Sequence, residues 1–191
     1  MLRDLPPGRH NSAAMLYVVR HRAATGQEPD APLTDDGRRD AVVLAERLAG
    51  ELAGAVGVRI VSGPCRRALG AIEPLATRLG LTVRVDDRLR ERVLSTTPRP
   101  DRCELLRASF DDPDLHPDGG ESSREAPARG DAAREEALRA GADATVVVTH
   151  GDLLTLLLRH VDGRAGFETW QGLENPDLVR IPIDGRAGAG P

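Results

Sequence analysis

Three apolar runs in the sequence are each followed by residues that could bind or attack a phosphate group. These residues are Arg20 and His21 after the first run, Arg67 shortly after the second, and His150 after the third. A guanidinium group binds phosphate oxygens through paired hydrogen bonds, and a neutral imidazole nitrogen can attack phosphorus. A single histidine after a strand is usually structural. Two such histidines accompanied by arginines instead favour a phosphate site.

The apolar runs themselves predict buried strands of one sheet. Strands are expected at 15–19, 58–61, 81–85, 145–149 and 178–183. Helices are expected between them, where apolar residues recur at helical spacing, with Thr34 as the cap of the first helix. Strands that alternate with helices predict an α/β fold, a three-layer α/β/α sandwich with a mainly parallel central sheet. Because ligands bind beyond the carboxyl ends of parallel strands, the histidines and arginines should meet at one edge.

The chain is predicted to form one domain over residues 15–184. Residues 1–14 are expected to be a flexible leader and residues 185–191 a flexible tail. The periodicity fails at 94–121, where Pro, Asp, Gly and Arg dominate. A loop of that length in a compact domain is usually functional or disordered, so this loop is a candidate cap over the site.

Composition excludes several classes of function. The net charge is -4 and all 26 basic residues are Arg, so chemistry that needs a lysine amine is excluded. Charges of both signs are interleaved, which leaves no broad positive face for nucleic acid. No apolar stretch approaches a membrane span. Two cysteines, Cys65 and Cys103, suggest a reducing compartment, and we expect a cytoplasmic protein. A homodimer is compatible with the sequence.

Several segments together resemble the histidine phosphatase superfamily, in the branch that holds phosphoglycerate mutases and related phosphatases. The resemblance covers nearly the whole chain. The matching segments occur in the family's order at 16–21, 32–37, 62–68, 89–91, 119–122, 148–151 and 175–176.

The resemblance implies a role for each matching residue. His21 would attack the phosphoryl group and form a phosphohistidine. Arg20, Arg67 and His150 would hold the phosphoryl oxygens, and His150 would also be a catalytic residue. Glu91 would protonate the leaving alcohol and then deprotonate the attacking water. Such a reaction implies no metal and no cofactor, and the expected partner is a small phosphorylated substrate.

The chain also departs from the family's pattern near the expected substrate. Arg22 stands where Gly is usual after the nucleophile, Gln27 lies near a position often held by Asn, and Gly63 replaces a usual Ser. Candidate substrate contacts are Arg22, Gln27, Ser122 and Gly151. These departures bear on substrate choice more than on the core chemistry.

Two alternatives to hydrolysis stay open. A mutase of the same family usually carries a longer insertion before its second histidine, and only 58 residues separate Glu91 from His150. A phosphate-binding or regulatory module without turnover would keep the arginines and form no phosphohistidine. A cysteine phosphatase is excluded, because neither cysteine is followed by Arg at the sixth position.

Overall fold

A six-stranded sheet forms the centre of the molecule. In this computed structural model the described residues are 2–4, 14–116, 118–173 and 178–183. The strands lie in the order β1-β6-β2-β5-β3-β4. They span Leu2–Asp4 (β1), Ala14–Arg20 (β2), Val58–Ser62 (β3), Val83–Val85 (β4), Ala144–Thr149 (β5) and Leu178–Ile183 (β6). Strands β2 to β5 are mutually parallel, while β6 runs antiparallel to β2 and parallel to β1.

Within the described residues, six α-helices connect or follow these strands. They span Asp35–Glu51 (α1), Arg66–Leu79 (α2), Arg102–Asp111 (α3), Glu125–Arg139 (α4), Gly151–Asp162 (α5) and Phe167–Gln171 (α6). A short 3-10 helix, Asp87–Leu89, follows β4. Thr34 caps α1 as expected, since its hydroxyl oxygen accepts a hydrogen bond from the Gly37 amide at 3.0 Å. None of the helices in these described ranges is long and apolar enough to cross a membrane.

The strands bury side chains on both faces of the sheet. In β2, Tyr17 and Val19 pack with residues of α1 and α2, whereas Leu16 and Val18 pack on the other face with residues of α4 and α5. Because successive strand residues point to opposite faces, a strand between two helical layers must be apolar throughout. The predicted three-layer α/β/α sandwich with a mainly parallel sheet is confirmed.

Two stretches differ from the expectations for irregular backbone. The segment 94–121 contains α3, whose Leu106 and Phe110 are buried against α5 and α6 residues. That helix forms around two large apolar residues four positions apart, which a polar-dominated composition conceals. Within the expected leader, residues 2–4 form β1, because their backbone pairs with β6. The rest of the leader through residue 13, the tail 185–191 and the segment 175–176 lie outside the described residues.

Candidate active site

The register of the sheet brings the segments that follow β2, β3 and β5 to one edge. Arg20 is aligned with Thr149 across β2 and β5, and Ser62 is aligned with Val148 across β3 and β5. The residues that follow each strand therefore emerge side by side. The His21 amide donates to the Thr149 carbonyl at 3.2 Å, which continues the pairing beyond the end of β2.

The hydrogen bond at one ring nitrogen of His21 sets its tautomer. Nδ1 lies 2.6 Å from the carbonyl oxygen of Arg22. A carbonyl oxygen can only accept, so Nδ1 carries the proton and Nε2 keeps its lone pair. The side chain is only partly buried. His21 therefore presents a neutral, accessible nitrogen nucleophile.

Arg67 is held beside that nitrogen by the backbone of the loop after β2. Its Nε donates to His21 Nε2 at 3.2 Å, and one terminal nitrogen donates to the carbonyls of Gln27 and Glu28 at 3.1 and 2.8 Å. The side chain is 3% exposed. A phosphoryl group that bonds to Nε2 would replace the hydrogen bond from Arg67 to that nitrogen. The oxygens of the phosphoryl group would then lie next to the Arg67 guanidinium.

His150 lies under His21. The ring centroids are 4.9 Å apart in an edge-to-face arrangement, and His150 is fully buried. Neither ring nitrogen has a hydrogen-bond partner in the part of the chain that the structure describes. A buried ring with an N–H left over is available to an oxygen that enters the site.

Both histidines are neutral at physiological pH. Burial, followed by His150 and the arginines Arg67 and Arg20, lowers the pKa of His21 to about 3, against a smaller opposing effect of the Arg22 carbonyl. Burial and then the charges of Arg67, Arg129 and Arg20 lower the pKa of His150 to about 3. A neutral imidazole is the nucleophilic form.

Arg20 and Gly151 are packed together at the start of α5. A Cβ atom on Gly151 would lie 3.3 Å from Arg20 Nε and 3.4 Å from the Trp170 indole nitrogen. Arg20 also donates to the Leu173 carbonyl at 3.0 Å. Gly151 therefore acts by leaving room for the guanidinium, and the substrate contact predicted for it stays a prediction.

Glu91 is bound at the N-terminus of α5, the helix that begins directly after His150. Its carboxylate accepts from the amides of Asp152 and Leu153 at 3.2 and 3.1 Å, and from that of Arg92 at 2.9 Å. Unpaired amides at a helix start are natural partners of a carboxylate. These hydrogen bonds hold the Glu91 carboxylate, which belongs to a charge-rich segment of the sequence, at the start of α5.

Three other residues, Arg22, Gln27 and Ser122, are predicted to contact the substrate. Arg22 is 2% exposed and lies beside α1, where Asp40 and Arg47 are its charged neighbours; burial lowers its pKa to about 10. Gln27 is exposed and contributes its carbonyl to Arg67. The hydroxyl of Ser122 accepts from the Glu125 amide at 3.2 Å at the start of α4. Substrate contact by these three stays a prediction.

Sequence reasoning missed Asp152, which is 1% exposed in the first turn of α5. Burial, followed by the neighbouring Glu91, raises its pKa to about 7. An acidic residue at a helix start is ordinarily read as a surface residue that favours the helix dipole. The only signal in the sequence was its position two residues after His150. No group of three or more His, Cys, Asp or Glu that could hold a metal occurs among the described residues.

Comparisons with known proteins find similar structures among phosphatases and other proteins. The structure is similar to mycobacterial glucosyl-3-phosphoglycerate phosphatase, with 28% identity, a TM-score of 0.70, and coverage of 88% of this chain and 89% of that one. It is also similar to YhfR of Bacillus stearothermophilus, with 25% identity, a TM-score of 0.73, and coverage of 91% and 93%.

A more distant likeness shows the fold alone. Phosphoserine phosphatase of Entamoeba histolytica is 16% identical with a TM-score of 0.69, and 87% of this chain and 89% of that one are covered. The comparison with curated proteins found no match. The family model of the histidine phosphatase superfamily (branch 1) matches residues 9–188. The chain belongs to the histidine phosphatase superfamily, branch 1.

Proposed function

We propose that this protein is a metal-independent phosphomonoester hydrolase that acts through a phosphohistidine intermediate on a small phosphorylated metabolite. The observation that carries the proposal is the state of His21. Its Nδ1 donates a hydrogen bond to the Arg22 carbonyl, so Nε2 keeps its lone pair. Arg67 donates a hydrogen bond to that same Nε2 atom.

The first step forms a bond between His21 Nε2 and phosphorus and breaks the bond between phosphorus and the leaving oxygen. Arg20, Arg67 and His150 surround the nucleophile and would stabilise the charge on the non-bridging oxygens. Glu91 would give its proton to the leaving oxygen. In the second step Glu91 would take a proton from water, whose oxygen attacks phosphorus and releases phosphate and free His21.

The substrate is proposed only to the level of a small phosphomonoester. The similar mycobacterial protein is named for glucosyl-3-phosphoglycerate, so sugar-linked and carboxylated phosphates belong in the first panel. Alkyl esters of this kind have poor leaving groups, and a proton from Glu91 matters most for them.

The test is phosphate release in the presence of a chelator, with an aryl phosphate and a panel of alkyl phosphates. The variants are His21→Ala and, as a control, His160→Ala, an exposed histidine on α5. We expect loss of at least 1000-fold in kcat for His21→Ala, as is typical of a missing nucleophile, and no change for His160→Ala.

Three other outcomes would contradict the proposed function. Activity retained in His21→Ala would refute the central assignment. Isomerised product without free phosphate would identify a mutase. Tight phosphate binding with no turnover on any panel member, and no acid-labile phosphoprotein after rapid quenching, would identify a binding module.

A further inference from the structure

An ion pair between Arg129, on α4, and Glu121 lies next to the segment that carries Glu91. The Nε atom and one terminal nitrogen of Arg129 donate to the two carboxylate oxygens of Glu121 at 2.6 and 2.8 Å. The two side chains are only 15% and 17% exposed. A pair with two parallel bonds fixes the plane of the guanidinium as well as its position. Arg129 is therefore held rigidly.

The remaining N–H groups of Arg129 are directed at the main chain around Glu91. One terminal nitrogen donates to the carbonyls of Arg88 and Arg90 at 2.6 and 2.9 Å, and the other donates to the carbonyl of Glu91 itself at 3.3 Å. Glu91 follows the short 3-10 helix and belongs to no helix or strand. Because regular pairing does not order its main chain, its position depends on side-chain contacts of this kind.

Glu121 holds the same segment on the other side of Glu91. Its amide donates to the Val93 carbonyl at 2.7 Å, and its carboxylate accepts from the Val93 amide at 3.1 Å. Its own carbonyl accepts from the buried Arg92 at 2.9 Å. The Glu91 carboxylate, which binds the start of α5, therefore extends from a main chain that the pair fixes on both sides.

The proposed reaction needs Glu91 within hydrogen-bond reach of the leaving oxygen. A misplacement near 1 Å can cost about 100-fold in rate. We propose that Arg129, held by Glu121, is a positioning residue that sets the place of Glu91 relative to the leaving oxygen. The inference rests on the proposed phosphatase function. Arg129 acts through the main chain of residues 88–91 and not by contact with substrate.

A second route from Arg129 to the reaction is its charge. The pKa of His150 is lowered by burial, then by the charges of Arg67 and Arg129. A lysine in place of Arg129 keeps the positive charge, but it carries its donors on a single nitrogen. It cannot bind both oxygens of Glu121 in a fork and also reach three carbonyls. Arg129→Lys therefore separates the effect of position from the effect of charge.

The test compares kcat/KM for phosphomonoesters whose leaving groups range from aryl to alkyl. We expect Arg129→Lys to lose about tenfold or more on alkyl phosphates and no more than about threefold on aryl phosphates, because poor leaving groups need Glu91 most. Glu91→Gln is the reference variant and should show the same preference with a larger loss. The matched control is Arg134→Lys on the same helix, whose side chain is 17% exposed and paired with Asp131 at 2.8 Å. Its kcat/KM should equal that of the wild type.

Glu121→Gln tests the pair from its other member. Glutamine keeps the shape and an acceptor for the Val93 amide but removes the charge that fixes Arg129. We expect an alkyl-selective loss of about threefold or more, because a neutral hydrogen bond is weaker than a charge-assisted one. If the two residues act as a unit, the double variant should lose little more than Arg129→Lys alone. Glu121→Gln decides the question if circular dichroism shows that Arg129→Lys does not fold.

Failure of the inference is distinguishable from failure of the proposed function. If Glu91→Gln is selectively impaired on alkyl phosphates while Arg129→Lys matches the wild type, Arg129 does not position Glu91. An equal loss on aryl and alkyl substrates in Arg129→Lys would also overturn the inference, because a general packing defect does not depend on the leaving group. Additive losses in the double variant would show that Glu121 does not act through Arg129. Activity that survives in His21→Ala would instead remove the proposed function itself.

Discussion

Substitution of Gly63 by alanine should displace the segment that carries Glu91, the proposed general acid. A Cβ atom on Gly63 would lie 2.6 Å from the carbonyl oxygen of Leu89 and 3.0 Å from its carbon. Gly63 has no positive φ, so alanine meets no backbone strain and only the lack of space opposes it. The obstructing atoms are backbone, which no rotamer change can move aside.

The magnitude follows from these contacts. Relief of the overlap to an ordinary separation of about 3.4 Å requires a shift of about 0.8 Å in one of the two chains. Overpacking of this kind costs about 1–3 kcal/mol, and the 3.0 Å bond from the Thr149 hydroxyl to the same Leu89 oxygen would weaken by about 0.5–1.5 kcal/mol. Alanine also lowers the entropy of the unfolded chain, which offsets about 0.4–1 kcal/mol. We expect a net loss of about 2 kcal/mol in the free energy of unfolding.

Glu91 follows Leu89 by two residues, so its carboxylate should move with the segment. A misplacement approaching 1 Å costs up to about 100-fold in rate, and we expect a loss of about 10- to 100-fold in kcat on alkyl phosphates. The assays are urea unfolding and phosphate release. Gly50→Ala, in α1 with no atom within 4 Å of its Cβ, is the control and should be stabilised by about 0.5–1 kcal/mol with unchanged kcat. Wild-type stability and kcat in Gly63→Ala would refute the reasoning.

Two further predictions concern Arg67 and His150, which lie beside the proposed nucleophile His21. Arg67→Lys keeps the charge but cannot reproduce the set of hydrogen bonds to His21 and the loop carbonyls, so kcat/KM should fall about 100-fold on aryl and alkyl phosphates alike. The control is Arg66→Lys, at an exposed neighbouring residue. An unchanged kcat/KM in Arg67→Lys would contradict the role of Arg67. The pKa of His150 is lowered to about 3 in the folded protein, so between pH 6.5 and about 3 the unfolded chain binds more protons and stability should fall as pH falls. His150→Gln should make the free energy of unfolding, measured in urea at pH 7 and 4.5, less dependent on pH than in the wild type; an equal dependence would show that His150 is not neutral in the fold.

Local pattern alone determined the elements and the chemistry at their ends. Residues 15–19 and 146–148 are continuous apolar runs, and a strand covered on both faces accommodates short runs of this kind. Parallel strands end at one edge, so the sequence also predicted that His21 and His150 lie at that edge and meet if their strands are neighbours. The type and order of the residues sufficed because both conclusions depend on neighbours along the chain.

Tertiary structure alone decided which groups share protons and space. The tautomer of His21 depends on one carbonyl, the position of Glu91 depends on amides some sixty residues further along the chain, and the raised pKa of Asp152 depends on burial between helices. Helix α3 was concealed for the same reason, since its apolar residues gain stability only against α5 and α6. Each of these properties is a sum over atoms that are remote in sequence, and only the packed fold brings those atoms within range.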